Sequence, residues 1–374
     1  MELPVPFAEG VSLASRTTFA VGGAARYLAA CNGASELAAC LTAARRARVP
    51  VALLGGGSNL LVADGGFDGL VLELVGGEAA AILPEVTGEA VRLRVGGGVE
   101  WDALVGHTVA HDWAGIEALS GIPGRVGAAP IQNIGAYGQE LADVVEAVEV
   151  VDAHSGEIRT LPAAACGFGY RKSHFKGRWR GHFAVTAVTL RLRPGGAATV
   201  RYPDLLRRLG MAPGGAPPPL ADVRRTVLEV RREKSMVLDA ASATDPNRRS
   251  AGSFFLNPVV TREKVEAVRR AAEELDAGEV PTFPAPAAGA GGSLKLSAAW
   301  LIEAAGFERG FEAGAVGLSS AHALALINRG GASAADVVAF ARRIRRAVRL
   351  CFGVTLHPEP SFLGFAEPVE RLLG

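Results

Sequence analysis

The chain is poor in the residues that mark a specialised environment. Of 374 residues only Cys31, Cys40, Cys166 and Cys351 are cysteine, scattered, with no CxxC and no histidine at ligand spacing. That argues against a zinc site or a disulfide framework and fits a reducing compartment, the cytoplasm. No apolar run approaches the ~20 residues needed to span a bilayer. The N-terminus, M-E-L-P-V-P-F-A-E-G, lacks the basic and apolar regions of a secretory signal. Neither sign of charge is in excess: 39 basic and 38 acidic residues leave +1, no global field to recruit nucleic acid or an anionic membrane. Lysine is rare beside abundant Ala, Arg and Gly, a bias that a GC-rich genome imposes. Two phosphate-binding signatures are missing as well. No G-x-x-x-x-G-K-[ST] occurs, and G-x-G-x-x-G fails where Leu60 stands in place of its last glycine.

What the chain does have is a glycine-rich stretch from Leu119 to Gly138, L-S-G-I-P-G-R-V-G-A-A-P-I-Q-N-I-G-A-Y-G. Five glycines and two prolines in twenty residues suit neither a helix nor a central strand. Gln132 and Asn133 add amides that donate and accept. So little charge in so long a loop points to backbone wrapped around a flat polar ligand; an irregular core loop fits the stretch equally well.

Upstream, Ser35 is placed to cap a helix through Arg48, with Leu37, Cys40, Leu41 and Ala44 at helical spacing. Pro50 ends it, and V-A-L-L at 51–54 reads as a buried strand, completing a β-α-β unit. The strand runs into Gly55-Gly56-Gly57-Ser58-Asn59, a turn suited to a diphosphate held by backbone N–H groups or to a tight structural bend. From 69 to 100 short strands alternate with glycine turns, and Trp101–His111 is helical. His107 and His111, four apart, have metal spacing without a zincin glutamate and read as packing or surface histidines.

Past the loop, 145–153 is a strand, and F-A-V-T-A-V-T-L-R-L is a strand of period two. Between them Arg171 lies among Phe168, Tyr170 and Phe175. Its rigid fork suits a planar carboxylate, or it is a surface arginine over aromatic rings. Residues 210–219 look like a connection between domains. A helix follows, with Leu220, Val223, Val227 and Val230 on one face. Ser253 sits between Gly252 and two phenylalanines, with no G-x-S-x-G elbow and no histidine near it in sequence. That disfavours a nucleophile and leaves a structural hydroxyl or a proton donor. A second flexible piece spans 281–292. Ser333 caps a helix to Leu350 whose arginines (342, 343, 345, 346, 349) form a solvated face, and the last strand carries Glu359 between two prolines. No internal repeat is evident.

Taken together, G-G-G-S-N, the 119–138 stretch, Y-R-K-S-H-F-K, A-G-S-F-F-L-N-P, K-L-S-A-A-W-L-I-E and P-E-P-S-F-L-G resemble the UDP-N-acetylenolpyruvoylglucosamine reductase family, in family order over nearly the whole chain. The resemblance implies an α+β, FAD-binding fold of the vanillyl-alcohol-oxidase type in two subdomains, 1–70 (with 353–374) and 71–218, plus a C-terminal α+β substrate-binding domain, 219–352. It implies non-covalent FAD, its diphosphate at Gly55, Gly56, Gly57, Ser58 and Asn59. The isoalloxazine would lie against Ser120, Ile122, Pro123, Gly124, Gln132, Asn133, Gly135, Ala136 and Tyr137. NADPH is the implied co-substrate. Arg171 and Glu359 match the residues that stabilise charge on the enolpyruvyl carboxylate, and Ser253 matches the proton donor. Tyr202, in the subclass with an extra tyrosine loop, packs on the UDP portion, while Lys234, Asn257, Lys295 and His322 match diphosphate or uridine contacts. His322 stands where some members carry glutamine, and the stretch between Lys234 and Ser253 is longer than the usual pattern. A monomer in the cytoplasm is expected, acting on a nucleotide sugar in peptidoglycan precursor synthesis, with no metal, nucleic acid or membrane partner.

Two other readings compete. A flavin oxidase of the same fold commonly tethers its flavin through His or Cys, and neither occurs in 55–60 or 119–138. A catalytically silent nucleotide-sugar binder is disfavoured because Arg171, Ser253 and Glu359 are all present.

Overall fold

The computed structural model describes residues 2–211, 216–285 and 292–374. The expected connections at 210–219 and 281–292 therefore lie partly outside the described residues. The chain forms two compact units, each built from separated segments. The first comprises Met1–Val11, Ala25–Gly56 and Asp68–Leu238, and the second Ser12–Ala24, Gly57–Phe67 and Asp239–Gly374. Among the described residues no helix is long and apolar enough to cross a membrane.

In the first unit a four-stranded sheet runs in the order Phe7–Ser12, Ala24–Cys31, Phe67–Leu74, Val51–Leu54. The last two are parallel, Val51 opposite Leu70 and Leu54 opposite Glu73. Parallel neighbours need a crossover, and the helix Ala34–Arg46 belongs to it, burying Leu37, Cys40, Leu41 and Ala44 as their spacing predicts. Its ends differ from expectation. Ser35 lies inside the first turn; the preceding Asn32 N–H is instead held by Glu36 Oε2 at 2.8 Å. The helix stops at Arg46 because Arg48 turns left-handed (φ 54°) and Val49 N–H returns to the Ala44 carbonyl at 2.9 Å, before Pro50 is reached.

A six-stranded sheet follows, ordered Ile158–Pro162, Val145–Asp152, Phe183–Pro194, Ala90–Gly96, Ile82–Thr87, with Trp113–Ala114 also on the long strand. Among the described residues its strands pair antiparallel throughout. Phe183–Pro194 alternates only near its end. Ala184 to Val188 are buried on both faces, and Thr186 satisfies its hydroxyl on Glu149 Oε1 at 2.8 Å. A central strand covered on both sides need not alternate. The helix Leu220–Glu233 buries Leu220, Val223, Val227 and Val230 as predicted, the three valines against Ala118 and Leu205.

The second unit gathers helices Arg262–Glu274, Ala298–Ala304 and Ala334–Phe352 around a core of Phe254, Leu296, Leu301, Ile344 and Phe352. Each such side chain contributes roughly 1.5–3 kcal/mol by leaving water. Ser333 caps the long helix in a capping box with Asp336, as its position suggests, and the helix runs to Phe352. Its arginines are not simply solvated. Arg342 donates to the Leu372 carbonyl, Arg345 to those of Leu356 and Gly374, and Arg343 lies over Phe307 and Phe311. The last strand is only Ser361–Leu363, parallel to Leu60–Val62.

Candidate active site

The 119–138 stretch is an irregular loop whose two ends are tied together. Buried Glu117 accepts from Gly115 N (2.7 Å), Gln139 Nε2 (2.9 Å) and Thr199 N (2.9 Å), while Gln139 Oε1 accepts from Ala118 N (2.8 Å). The helix Trp101–Ala110 holds the first half of the loop. Trp101 Nε1 donates to the Leu119 carbonyl at 3.1 Å, Trp101 N to Gly124 O at 2.9 Å, and Asp102 accepts from Gly121 N at 2.6 Å.

Beneath the loop sits Arg231, 7% exposed. Its Nε donates to Gly121 O and its Nη2 to Met236 O, both at 3.1 Å, and it interacts electrostatically with the Tyr137 phenol. One buried cation thus joins the early and late parts of the loop. Burial disfavours the Arg231 charge, and Tyr137 offsets this; burial likewise pushes the Tyr137 phenol up. Asp102 is drawn the other way. Burial would raise its carboxyl, but the Arg224 guanidinium at 2.6 Å and the Gly121 N–H outweigh it and hold it below the usual carboxylate range.

Within the loop, Ser120 is fully buried, donating to Glu117 O at 2.7 Å and accepting from Arg224 at 3.1 Å. Asn133 adopts φ 49° and its amide is engaged by protein, Nδ2 to Glu140 (2.8 Å) and Gly169 O (3.0 Å), Oδ1 from Ala142 N (2.9 Å). Its side chain therefore shapes the loop. Gln132 Oε1 accepts from Lys176 Nζ at 3.4 Å. Ile122 and Ala136 pack on the core of the first unit.

The glycine turn meets this loop. A Cβ on Gly56 would come within 2.7 Å of Gly124 Cα, and one on Gly55 within 3.3 Å of Ala128 Cβ. Among the described residues, the N–H groups of Gly56, Ile122 and Gly124 donate to no backbone acceptor. Adjacent amides of this kind form a donor set for anionic and carbonyl oxygens. Gly57, Ser58 and Asn59 belong to the second unit, where Asn59 O accepts from Ser361 N at 3.0 Å.

Arg171, with φ 51°, lies on the far side of the loop, donating from Nη2 to the Gly135 carbonyl and standing over the Tyr170 ring at 5.5 Å. Tyr137 and Tyr202 meet edge to face at 5.5 Å. Tyr202 precedes the short helix Pro203–Arg208, and Lys234 ends Leu220–Glu233. Burial lowers the Lys234 ammonium, opposed by Asp204.

In the second unit one residue aligns three segments. Phe254 N donates to Leu324 O at 2.7 Å, and Phe254 O accepts from Glu359 N at 2.9 Å. Ser253, the turn carrying His322, and Glu359 are brought together this way. The sequence shows no histidine near Ser253, but the fold supplies one: Ser253 Oγ and His322 Nε2 are 3.1 Å apart, across 69 residues. Asn257 Oδ1 accepts from Ala298 N at 2.8 Å, holding the start of Ala298–Ala304, and Lys295 Nζ lies 5.8 Å over Phe283.

His107 and His111 pack with Trp113, the three rings within 5.6 Å, and His111 Nδ1 is 2.8 Å from His107 O. Among the described residues no group of three or more His, Cys, Asp or Glu could hold a metal.

Residues 245–363 match the family described as UDP-N-acetylenolpyruvoylglucosamine reductase, C-terminal domain, and residues 25–162 match the FAD binding domain family. The UDP-N-acetylenolpyruvoylglucosamine reductase of Thermobifida fusca is 46% identical over 361 residues, 96% of this chain and 98% of that protein. That of Nocardia farcinica is 47% identical over 95% of this chain and 89% of its own length. The crystal structure of the reductase from Thermus caldophilus superposes with a TM-score of 0.63 at 27% identity, covering 97% of this chain and 100% of that one. The α+β architecture, an FAD-binding domain followed by the reductase C-terminal domain, is the one the motifs implied. The chain belongs to the UDP-N-acetylenolpyruvoylglucosamine reductase family.

Proposed function

We propose that the protein is an NADPH-dependent flavoenzyme that reduces UDP-N-acetylglucosamine enolpyruvate to UDP-N-acetylmuramate, a step of peptidoglycan precursor synthesis. The observation that carries this reading is the 46% identity to such a reductase over 96% of the chain. The donor set of Gly56, Ile122 and Gly124 fits FAD, whose diphosphate and ring carbonyls need N–H partners. When bound, FAD would supply the hydride chemistry that links NADPH to the enolpyruvyl methylene carbon.

The chain's residues do the rest. Gly55 to Asn59 hold the diphosphate, and the loop from Ser120 to Tyr137 sets the ring plane. Arg171 supplies positive charge to the substrate carboxylate as negative charge develops there, and Glu359, in its acid form, donates a hydrogen bond to the same enolate-like group. Ser253 gives its hydroxyl proton to the neighbouring carbanion, which is basic enough to take it. Tyr202, Lys234, Asn257, Lys295 and His322 contact the nucleotide portion. Residues 1–70 with 353–374 and 71–218 serve the cofactor and 219–352 the substrate, in a cytoplasmic monomer.

The test is an anaerobic titration of the purified protein, first with NADPH and then with the enolpyruvyl substrate. Bleaching of the flavin band and its return supports the reductase. Bleaching without return moves the substrate elsewhere, and no flavin after added FAD overturns the reading of 119–138. Ser253→Ala is expected to reduce its flavin nearly normally and to reoxidise it roughly 10²–10⁴-fold more slowly; equal slowing of both halves would sink the assignment.

A further inference from the structure

We propose that His322 is a proton relay behind Ser253, a positioning residue that replaces the serine proton as it leaves. The inference rests on the reading of Ser253 as proton donor. A serine that gives up its proton becomes an alkoxide, and Ser253 is half-buried, so its Oγ is only partly open to water. An unpartnered anion there is disfavoured. The group that removes this difficulty is already at hydrogen-bond distance, His322 Nε2 at 3.1 Å from Ser253 Oγ.

The turn that carries His322 is fixed by its own main chain. His322 O accepts from Ala325 N at 3.0 Å and Ser319 N donates to Ala325 O at 2.9 Å, closing the turn on itself. Ala321 N donates to Ser319 Oγ at 3.1 Å, and Ser319 is fully buried. The 2.7 Å bond from Phe254 N to Leu324 O then fixes the turn against the residue following Ser253. Such fixation from both sides is what proton transfer along a short chain requires.

In the step itself the Ser253 O–H bond breaks as its proton forms the new C–H bond at the substrate carbanion. The Nε2–H proton of the imidazolium passes to Oγ, so one N–H bond breaks and one O–H bond is restored. The ring ends neutral, the serine ends as a hydroxyl, and water returns the ring proton afterwards. No free alkoxide is formed.

His322→Gln tests this, because glutamine keeps a hydrogen bond but has no proton to give. In the holoenzyme at saturating enolpyruvyl substrate, flavin reoxidation is expected to slow roughly 10–100-fold. In H2O–D2O mixtures the wild-type rate should fall along a curve, the mark of two protons in flight, and His322→Gln along a straight line. His322→Ala should regain rate when imidazole is added to the buffer. In the resting holoenzyme the ¹⁵N resonance of His322 Nε2 should move on Ser253→Ala. FAD absorbance and the thermal midpoint report whether each variant is folded.

Wild-type reoxidation by His322→Gln, a straight line for the wild type, or an unmoved Nε2 resonance each overturns the relay. A curved isotope response retained in His322→Gln, with only the substrate Kd weakened, leaves His322 as a nucleotide contact alone and overturns the relay too. If Ser253→Ala itself reoxidises normally, it is the proton-donor reading that has failed.

Discussion

Arg171 donates its Nη2 hydrogen to the carbonyl of Gly135, a residue of the loop assigned here to the flavin ring. A Cβ on Gly135 would lie 2.9 Å from both Arg171 Nη1 and the Gln139 carbonyl oxygen, so glycine leaves the room that the guanidinium takes beside the loop. Lysine at 171 offers a point charge without the planar fork that makes two bonds at fixed angles. Arg171→Lys is expected to slow flavin reoxidation by about 10²–10³-fold, the usual effect of removing one donor to a developing anion. Gly135→Ala should shift it the same way, more weakly, by moving the guanidinium. Stopped-flow reoxidation checks both; an Arg171→Lys protein that loses only NADPH-driven reduction would refute the assigned role.

Acid should loosen the loop through Asp102. Its carboxyl is depressed in the folded state, so the ion pair with Arg224 contributes fully above the unfolded carboxylate pKa of about 3.9 and fades as pH falls through the lower folded value. Asp102→Ala removes that dependence and leaves Gly121 N–H without its acceptor. The cost is about 1–3 kcal/mol, toward the low end because 39% of the Asp102 side chain is exposed. Urea unfolding at pH 7 and at a pH well below about 3.9 measures it, and the gap between the two proteins should narrow as pH falls through the depressed folded value.

Thiol reactivity should be confined to one residue. Cys31, Cys40 and Cys166 are fully buried, and burial pushes the Cys166 thiol up to about 11, leaving on the order of 10⁻³ as thiolate at pH 8. Cys351 alone is partly exposed. A native-state titration with a chromogenic disulfide should label Cys351 first and reach all four only on denaturation; rapid labelling of Cys166 would contradict the packing.

Ser333→Ala should cost about 1 kcal/mol, since it removes the acceptor of Asp336 N–H at 3.1 Å at the head of the long helix. The midpoint of urea unfolding should fall without a change in slope. No change in midpoint would mean that Asp64, which accepts from Ala334 N and Ala335 N, suffices as the cap.

Much of this was legible because it is local. Apolar spacing found Ala34–Arg46 and Leu220–Glu233, and the glycine pattern found the loop. Arg231 was within reach of the same method. It lies four residues after Val227 and eight after Val223, on the helix face that the apolar residues define, so helical spacing alone places it inward. The His322–Ser253 pair was not within reach. Nothing in S-S-A-H-A-L-A marks it, and it exists only because the two carbonyl and amide groups of Phe254 align segments distant in sequence. The alternation expected of Phe183–Pro194 failed for the opposite reason, since the pattern reports one covered face and this strand has two.

The second unit is assembled from opposite ends of the chain. Leu60–Val62 pairs with Ser361–Leu363, Asp64 caps the helix that starts at Ala334, and Asn328 Nδ2 donates to Phe19 O at 3.0 Å. During synthesis residues 12–24 and 57–67 leave the ribosome first and must wait, unpaired, for almost the entire remainder to be translated. Folding of this unit is thus dominated by long-range closure, slow by topology and open to capture by chaperones. A chain truncated before Ser361 would leave Leu60–Val62 with no partner strand at all.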